Sequence, residues 1–289
     1  MGMRRFLALV AVVGVASCSS GDDKVAPTTT TTEATTTTSS TTTTTLPPGP
    51  PVAAGNPAGL AAQIAAAEAA VRDPATPPAA LERAGHEAQV AYRAVAEKPE
   101  WLDQVVAAVP PALAPTVRAN VTAGIELRAL TKPRTSLPPW EIVAPAPAEE
   151  LLGYYRDAER QVGVPWQYLA AIHLSETRMG RIRGTSSAGA QGPMQFMPAT
   201  WQQYGAGGDI NSNRDAILAA ARLLKRNGAP DNMANALFNY NRSQRYVRAV
   251  TAYAEQMRAD ERAYYGYYHW QVYYRLVEGD RHLPVGYRG

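Results

Sequence analysis

Cysteine and histidine are scarce in this sequence, and their scarcity excludes several kinds of site. The only cysteine of the 289 residues is Cys18, so the chain cannot form an internal disulfide. The four histidines, at positions 86, 173, 269 and 282, are too scattered to match the spacing of a metal site. We therefore expect neither a bound metal nor a cofactor.

Long apolar runs and strong charge are lacking as well. Beyond residue 15 no stretch of the sequence is apolar enough to cross a membrane. The formal net charge is +3, and it falls to +1 once residues 1–17, with two arginines and no acid, are removed. No basic run or nucleic-acid-binding motif is present, so we expect no nucleic-acid partner. Strand patterns are rare and helical spacing is frequent, which indicates an all-α fold.

The first residues resemble the export signal of bacterial lipoproteins. Arg4 and Arg5 precede an apolar run at 6–15 that is too short to span a membrane as a stable helix. The run ends in Val-Ala-Ser-Cys, which is similar to a lipobox and whose last residue is Cys18. This resemblance implies a signal peptide at 1–17, cleavage before Cys18 and lipidation of its thiol. The alternative is an ordinary signal peptide whose removal releases a soluble protein, and both interpretations predict export.

Residues 18–57 consist mainly of threonine runs followed by prolines. With so few apolar side chains to bury, this segment cannot offset the entropy cost of ordering, and we expect a disordered linker. As a coil it would span about 35 Å, and fully extended about 120 Å. Such a length suits a tether from a membrane surface into the cell wall, and it predicts an anchored, extracytoplasmic protein.

Two predicted helices follow this linker. Residues 58–72 and 78–97 are alanine-rich and carry larger apolar residues at helical spacing. Prolines then divide the chain into shorter pieces, and the proline-rich stretch 132–147 predicts a connector. We interpret 58–131 as a small helical region that serves either as a scaffold or as a binding module for the wall or a partner.

The next clear helix ends in an isolated acid. It begins near Pro165, a residue favoured in the first turn, and runs past Glu176. The neighbours on the same side of this helix are apolar or aromatic: Leu169, Ile172 and His173. Taken alone, the pattern favours an exposed helix end or an ion pair between Glu176 and Arg178 or Arg181.

Two later stretches change that interpretation. Residues 186–201 read SSAGAQGPMQFMPATW, and residues 239–241 read NYN. Together with Glu176 and the threonine after it, they resemble the lysozyme-like lytic transglycosylases. The motifs of that family are E-S or E-T, then S-x-x-G-A-x-G-x-M-Q, M-P-x-T and A-Y-N. The continuation through Ser243 and Tyr246 is similar to the soluble-lytic and membrane-bound B-type branches.

The resemblance covers residues 150–255 and has three departures. Pro193 stands where leucine is usual, Asn239 replaces alanine, and Thr177 replaces serine. Two of these, Pro193 and Thr177, occur in some branches of the family. They therefore affect the assignment to a subfamily more than the expected activity.

The resemblance implies a lysozyme-like catalytic domain at 148–260 that cleaves the glycan strands of peptidoglycan without a cofactor. Glu176 would protonate the bond between N-acetylmuramic acid and N-acetylglucosamine and then accept a proton from the C6 hydroxyl, which yields a 1,6-anhydro end. The residues matched to substrate-binding positions are Ser186, Gly192, Met194, Gln195, Tyr240 and Asn241. The alternatives are a muramidase that uses water and a catalytically inert glycan-binding lipoprotein of the same fold.

The residue types in these motifs suit a sugar site. Gly189 and Gly192 allow the backbone to approach a sugar closely. The amide of Gln195 can both donate to and accept from an N-acetyl group, and the phenol of Tyr240 can hydrogen-bond the catalytic carboxyl or the glycan.

A second catalytic carboxylate is not evident. Asp209 and Asp215 flank the start of a predicted helix at 212–227, where the helix dipole favours an acid. Their spacing approaches that of a calcium loop, but Arg214 and Ala220 replace the required glycine and glutamate. The lack of a second acid agrees with the transglycosylase reaction, which needs only one.

The last stretch, 261–289, is unusually rich in tyrosine. We expect it to pack against the catalytic domain, with sugar stacking as the alternative. Arg178, Arg181 and Arg183 precede the glycine-containing loop, and they form either a solvated face or contacts to substrate carboxylates.

The lipobox pattern generates a first prediction. Replacement of Cys18 by alanine removes the thiol that would be acylated, so the variant should leave the membrane fraction and carry no acyl chains. Cell fractionation together with mass spectrometry of the mature amino terminus measures both. A Cys18→Ala protein that stays acylated and membrane-bound would show that the lipobox interpretation is wrong.

Overall fold

The structure, a computed structural model, describes residues 49–289. The predicted signal peptide, the lipidation site Cys18 and the linker up to residue 48 lie outside the described residues. Within the described part, eleven α-helices account for most of the chain, and the strands are short. The predicted all-α class is therefore confirmed. No helix in residues 49–289 is long and apolar enough to span a bilayer.

The predicted helical region after the linker contains four helices. They are α1 (Pro57–Arg72), α2 (Pro78–Glu97), α3 (Leu102–Ala108) and α4 (Ala114–Leu130). Proline stands in the first turn of α1, α2 and α4, where its missing N–H costs no hydrogen bond. The predicted helices at 58–72 and 78–97 are thus confirmed almost to the residue.

The ordered chain begins earlier than the predicted linker boundary. The side chain of Gln63 in α1 accepts a hydrogen bond from the Ala54 amide at 3.0 Å and donates one to the Val52 carbonyl at 3.1 Å. The side chain of Asn56 caps the first turn of α1. These contacts fix residues 52–56, which the composition assigned to the disordered segment.

The predicted catalytic domain contains six further helices. They are α5 (Ala148–Val162), α6 (Trp166–Thr177), α7 (Pro198–Tyr204), α8 (Asn213–Arg226), α9 (Met233–Tyr240) and α10 (Gln244–Ala259). The helices predicted to begin near Pro165 and at residue 212 are both present: Pro165 immediately precedes α6, and Ser212 caps α8 with its hydroxyl. A two-residue pair of antiparallel strands, β1 (Glu141–Ile142) and β2 (Ile182–Arg183), joins the connector to the chain after α6.

The tyrosine-rich stretch contains a β-hairpin that the sequence did not predict. A short helix, α11 (Arg262–Tyr268), is followed by β3 (Val272–Leu276) and β4 (Gly279–Leu283), with Tyr273 opposite His282. Tyrosine and valine favour extended backbone, and Gly279 takes a φ of 124° at the turn.

One hydrophobic core joins the helical region, the catalytic helices and α11. Residues 49–289 belong to a single compact unit, in which α10 packs against both α4 and α6. Tyr264 and Tyr267 are buried, and the Tyr267 hydroxyl donates to the Asn120 side chain of α4 at 2.7 Å. These contacts support the scaffold interpretation of the helical region and the packing interpretation of the tail.

An ionic cluster fastens the hairpin to the helical region. Asp280 of β4 accepts hydrogen bonds from Arg93 of α2 and from Arg128 of α4, the latter at 2.6 Å. Residues beyond the hairpin then return to β1, where the Ile142 amide donates to the Tyr287 carbonyl at 3.0 Å. The tail therefore touches both the scaffold and the strand pair beside the predicted site loop.

The shared core generates a stability prediction. Val121 of α4 is 0 % exposed, so Val121→Ala should lower the free energy of unfolding by about 2 kcal/mol through lost burial and a residual cavity. Thermal unfolding should remain a single transition when followed by circular dichroism. Val277 in the hairpin turn is 67 % exposed, and Val277→Ala is the matched control with little expected effect. Two separate transitions would contradict a common core.

Candidate active site

Helix α6 carries Glu176 on its last turn. Leu169, Ile172 and His173 are each 0 % exposed, so this helix is anchored in the core by the residues before Glu176. The helix ends at Thr177 because Arg178 and the next two residues take positive φ angles. Glu176 itself keeps part of its surface accessible, although the atoms around its carboxyl are as dense as in the interior. Glu176 is therefore a largely desolvated carboxyl that is still partly accessible.

The environment of Glu176 favours its protonated form. Burial raises the pKa of Glu176 to about 7, while a hydrogen bond from Tyr246 and the charge of Arg178 partly counteract this effect. The Tyr246 hydroxyl donates to Oε1 of Glu176 at 2.8 Å. No carboxylate of another residue contributes to this pKa shift. Glu176 can therefore both donate and accept a proton near neutral pH.

The expected ion pair of Glu176 is absent from the described part of the chain. The guanidinium of Arg178 bonds instead to the Leu174 carbonyl. Arg181 is 5 % exposed and donates to the Tyr268 carbonyl at 3.0 Å. The three arginines predicted as one group therefore do not form a common solvated face, because the turn after α6 directs them to different partners.

Tyr240 has a different partner from the one its sequence position suggested. Its hydroxyl donates to the Met194 carbonyl at 2.6 Å, and it makes no hydrogen bond to Glu176. Its ring lies parallel to that of Tyr246, with 6.4 Å between centroids. Tyr246, six residues later, is the phenol that reaches the carboxyl. The sequence contained a signal for this role of Tyr246, namely its place in the Y-N-x-S-x-x-Y pattern. In the structure Ser243 caps α10 and so fixes Tyr246 on the first turn.

The loop from Gly184 to Met197 is organised by its own polar groups. The Ser186 hydroxyl accepts hydrogen bonds from the amides of Ala188 and Ala190, at 3.2 and 3.0 Å. Gln191 and Phe196 pair through their backbones. Ser186 therefore shapes the loop, and no contact links its side chain directly to Glu176 among the hydrogen bonds of the described residues.

Gly192 is required by a close approach inside the protein. Its φ is +72°, and a Cβ atom built on it would lie 2.0 Å from the Ile210 carbonyl oxygen. The sequence-based argument assigned the absence of a side chain to contact with a sugar. The structure shows that the face of Gly192 where a side chain would stand is filled by the segment before α8.

Comparison with known proteins agrees with this arrangement. The family model of the transglycosylase SLT domain matches residues 153–262. This segment belongs to the lytic transglycosylases of the lysozyme-like superfamily. The match begins in α5 and ends at the start of α11, so it contains Glu176, the loop and both tyrosines.

A curated protein similar to this chain is the membrane-bound lytic murein transglycosylase F of Thiobacillus denitrificans (strain ATCC 25259 / T1). It is 30 % identical over 119 residues, which are 38 % of this chain and 25 % of the relative. The chain therefore spans about a quarter of the length of the curated relative that it matches. No solved structure matches the chain.

Thr177 links helix α6 to the loop from Gly184 to Met197. The Thr177 hydroxyl donates to the Pro193 carbonyl at 2.6 Å and accepts from the Gly180 amide at 3.1 Å, and the side chain is fully buried. Threonine in place of serine keeps this hydroxyl, and proline at 193 keeps the carbonyl. The departures from the family pattern at Thr177 and Pro193 are therefore both compatible with the hydrogen bond between these two residues.

The remaining predicted site residues lie in the loop, where Met194 and Gln195 stand, and at the end of α9, where Asn241 stands. The Met194 side chain is 0 % exposed and supports the loop from the core, while the Gln195 amide donates to the Gly192 carbonyl at 3.0 Å. Asn241 is half-buried at the end of α9. Tyr246 hydrogen-bonds Glu176, and its ring stacks on Tyr240, which bonds to the Met194 carbonyl. Among the described residues no hydrogen bond joins Ser186 or Asn241 to the carboxyl.

Asp209 and Asp215 are occupied in the segment before α8. The Asp215 carboxylate accepts from the Asp209 amide at 3.0 Å, and the Asp209 carboxylate accepts from the Asn211 amide at 2.9 Å. In residues 49–289 no group of three or more histidine, cysteine or acidic side chains is placed to hold a metal. Both aspartates shape the start of a helix.

The packing of Gly192 predicts a loop-specific defect. Gly192→Ala should displace the loop, lower turnover strongly and destabilise the fold, because its Cβ meets the Ile210 carbonyl. Gly207 has a similar φ of +79° with open space around it, so Gly207→Ala isolates the cost of backbone strain, about 1 kcal/mol. Activity and thermal unfolding of both variants give the comparison. Equal behaviour of the two would refute the steric explanation.

Proposed function

We propose that this protein is a peptidoglycan lytic transglycosylase that cleaves the β-1,4 bond between N-acetylmuramic acid and N-acetylglucosamine and leaves a 1,6-anhydro end. The observation that carries the proposal is the single carboxyl of Glu176, which accepts a hydrogen bond from Tyr246 and has its pKa raised to about 7 by burial. The SLT match and the name of the curated relative support the reaction class.

The first half of the reaction requires Glu176 as an acid. At neutral pH a large fraction of Glu176 is protonated, since its pKa lies near 7. Tyr246 donates to Oε1, which leaves Oε2 as the oxygen that carries the proton. Transfer of this proton to the glycosidic oxygen allows the bond to C1 to break, and the substrate's own acetamido group stabilises the cationic centre.

The second half requires the same group as a base. Glu176, now ionised, accepts the proton of the C6 hydroxyl while that oxygen bonds to C1 and closes the anhydro ring. The Tyr246 hydroxyl continues to donate to Oε1, a contact that favours the carboxylate. One residue therefore serves both half-reactions without a second carboxylate.

The alternatives receive less support from the site. A muramidase needs a base that activates water, but the two candidates from the sequence, Asp209 and Asp215, accept hydrogen bonds from backbone amides. An inert glycan-binding protein has no need to hold a carboxyl in a desolvated position. We therefore favour the transglycosylase over both.

Substrate contacts are proposed for the six residues that match the family pattern. The side-chain oxygen of Gln195 and the polar groups near Tyr240 and Asn241 are suited to the N-acetyl and hydroxyl groups of a glycan. The loop around Ser186, Gly192 and Met194 would contribute backbone groups, since Met194 has no exposed side chain.

We further propose that the protein is exported and anchored through lipid on Cys18, so that the linker carries the enzyme toward the wall. The signal-like sequence at 1–17 supports export, and the similar transglycosylase F is named as a membrane-bound protein. Remodelling of the cell wall is the role that follows from an enzyme held at this surface.

Product analysis tests the proposed reaction. Digestion of purified peptidoglycan should release muropeptides that end in 1,6-anhydro-N-acetylmuramic acid, lighter by one water than hydrolytic products, as measured by mass spectrometry. Turnover should fall as pH rises through about 7, because the acid half-reaction needs protonated Glu176. Products with reducing ends would instead identify a muramidase.

Matched variants accompany this experiment. Glu176→Gln should keep the fold and lower turnover by about 10⁴-fold, since an amide cannot transfer the proton in either half-reaction. Asp209→Asn and Asp215→Asn should retain most activity and lose at most some stability at the start of α8. A folded Glu176→Gln protein with substantial activity is incompatible with the assignment of Glu176.

A further inference from the structure

The first turns of α10 carry two arginines beside the tyrosine that reaches the catalytic carboxyl. Arg245 and Arg248 are three residues apart, a spacing that places both side chains on one face of the helix. Their side chains are 50 % and 54 % exposed. Tyr246, which lies between them in the chain, is buried and donates to Glu176. The same turns of α10 therefore present a phenol to the active site and two cations to the surface.

One carboxylate of the helical region binds both arginines. Glu126 of α4 accepts a hydrogen bond from Nη1 of Arg245 through Oε2 and one from Nε of Arg248 through Oε1, each at 2.8 Å. Each carboxylate oxygen thus has its own guanidinium partner. The hydrogen bonds from Arg248 and Arg245 hold the pKa of Glu126 below its usual range, so this carboxylate is ionised at neutral pH.

Two cations at the start of a helix need a negative charge nearby. The first turn of a helix is the positive end of its dipole, which disfavours arginine there. The first turn of α10 contains no acidic residue of its own. Glu126 supplies that charge from another helix, so the pairing favours one position of α10 relative to α4.

The value of this contact lies in its direction more than in its strength. Ion pairs between partly exposed side chains contribute little to stability. The packing of α10 on α4 and α6 is apolar, and apolar burial is non-directional. Two hydrogen bonds to one carboxylate are directional, and they restrict both rotation of α10 and movement along its axis.

The contact between Tyr246 and Glu176 depends on such a restriction. These residues belong to α10 and α6, and their hydrogen bond is 2.8 Å long. A displacement of α10 by about 1 Å would take the two oxygens out of hydrogen-bonding range. The Ser243 hydroxyl caps the Tyr246 amide at 3.4 Å, which shapes the turn but does not fix α10 against α4.

We propose that Glu126 is a positioning residue of the active site, which holds the first turns of α10 through Arg245 and Arg248 so that Tyr246 stays in contact with Glu176. This inference rests on the proposed function. Glu126 lies outside the SLT match at 153–262, whereas its two partners lie within it. A residue of the helical region thus acts on the catalytic carboxyl through α10, and it exchanges no proton itself.

Loss of Glu126 has two effects of opposite sign on Glu176. Removal of a negative charge by itself would favour the Glu176 carboxylate and lower its pKa. Displacement of α10 weakens the hydrogen bond from Tyr246, which favours the carboxylate, and so raises the pKa. Arg178 and Tyr240, which also interact with Glu176, are the same in every variant below. A raised pKa therefore reports the lost contact and not the lost charge.

Substitutions in the full chain test the proposal. Glu126→Gln keeps the shape of the side chain but turns an amide N–H group toward a guanidinium. Tyr246→Phe removes the donor itself, and a double variant combines the two changes. Arg248→Gln breaks one of the contacts from the α10 side and covers the case in which Glu126→Gln does not fold. Asp103→Asn is the matched control, since it removes one carboxylate charge that pairs with Arg118 of α4 at 2.9 Å.

Two measurements are made on each variant. The first is the titration of the Glu176 carboxyl by ¹³C NMR of glutamate-labelled protein, assigned by its disappearance in Glu176→Gln. The second is the pH dependence of kcat and KM on peptidoglycan.

The expected shifts follow from the lost hydrogen bond. Tyr246→Phe should raise the Glu176 midpoint by about one pH unit, and Glu126→Gln by about half of that, with a smaller rise in Arg248→Gln. Glu126→Gln should lower kcat about threefold with little change in KM, because a weaker acid gives up its proton less readily. In the double variant the midpoint should equal that of Tyr246→Phe alone. Asp103→Asn should leave the midpoint and kcat unchanged.

The outcomes separate this inference from the proposed function. An unchanged or lowered Glu176 midpoint in Glu126→Gln would overturn the inference. An equal rise with and without the Tyr246 hydroxyl would also overturn it, since Glu126 would then act by another route. The titration needs no turnover, so it decides the role of Glu126 by itself. A wild-type protein without 1,6-anhydro products would refute the proposed function, whatever the titration shows.

Discussion

The Glu176 carboxyl sits on the last turn of a helix buried on all sides, where the Tyr246 hydroxyl donates to it at 2.8 Å. Desolvation and this hydrogen bond act in opposite directions on its ionisation, and together they hold the pKa near 7. The balance depends on the fixed separation of α6 and α10. A small displacement of either helix would expose the carboxyl to water or remove its only phenolic donor.

The helical region before the SLT match helps to keep the separation of α6 and α10 fixed. Helix α10 carries Tyr246 on its first turn, and it packs against α6 on one side and α4 on another. Helix α4 is in turn bound to the tail through Tyr267, and the hairpin is held by Arg93 and Arg128. The region outside the SLT match therefore contributes to the site by fixing a helix within it.

The loop from Gly184 to Met197 is held in place by contacts inside the protein. Thr177 binds the Pro193 carbonyl, Tyr240 binds the Met194 carbonyl, and Gly192 lies against Ile210. Residues that a motif presents as substrate contacts are here also the ones that hold the loop to α6 and α9.

The sequence by itself determined the parts of this protein that depend on local chemistry. Prolines and caps set the bounds of α1, α2, α6 and α8, helical spacing set the fold class, and an ordered set of motifs identified Glu176. Tertiary structure alone decided which tyrosine reaches the carboxyl, where the arginines after α6 bind, and that the tyrosine-rich tail turns into a hairpin. The physical reason is that these outcomes depend on contacts between segments far apart in the chain. Such contacts leave no periodicity in either segment, because the partner of each polar group is set by how the helices pack.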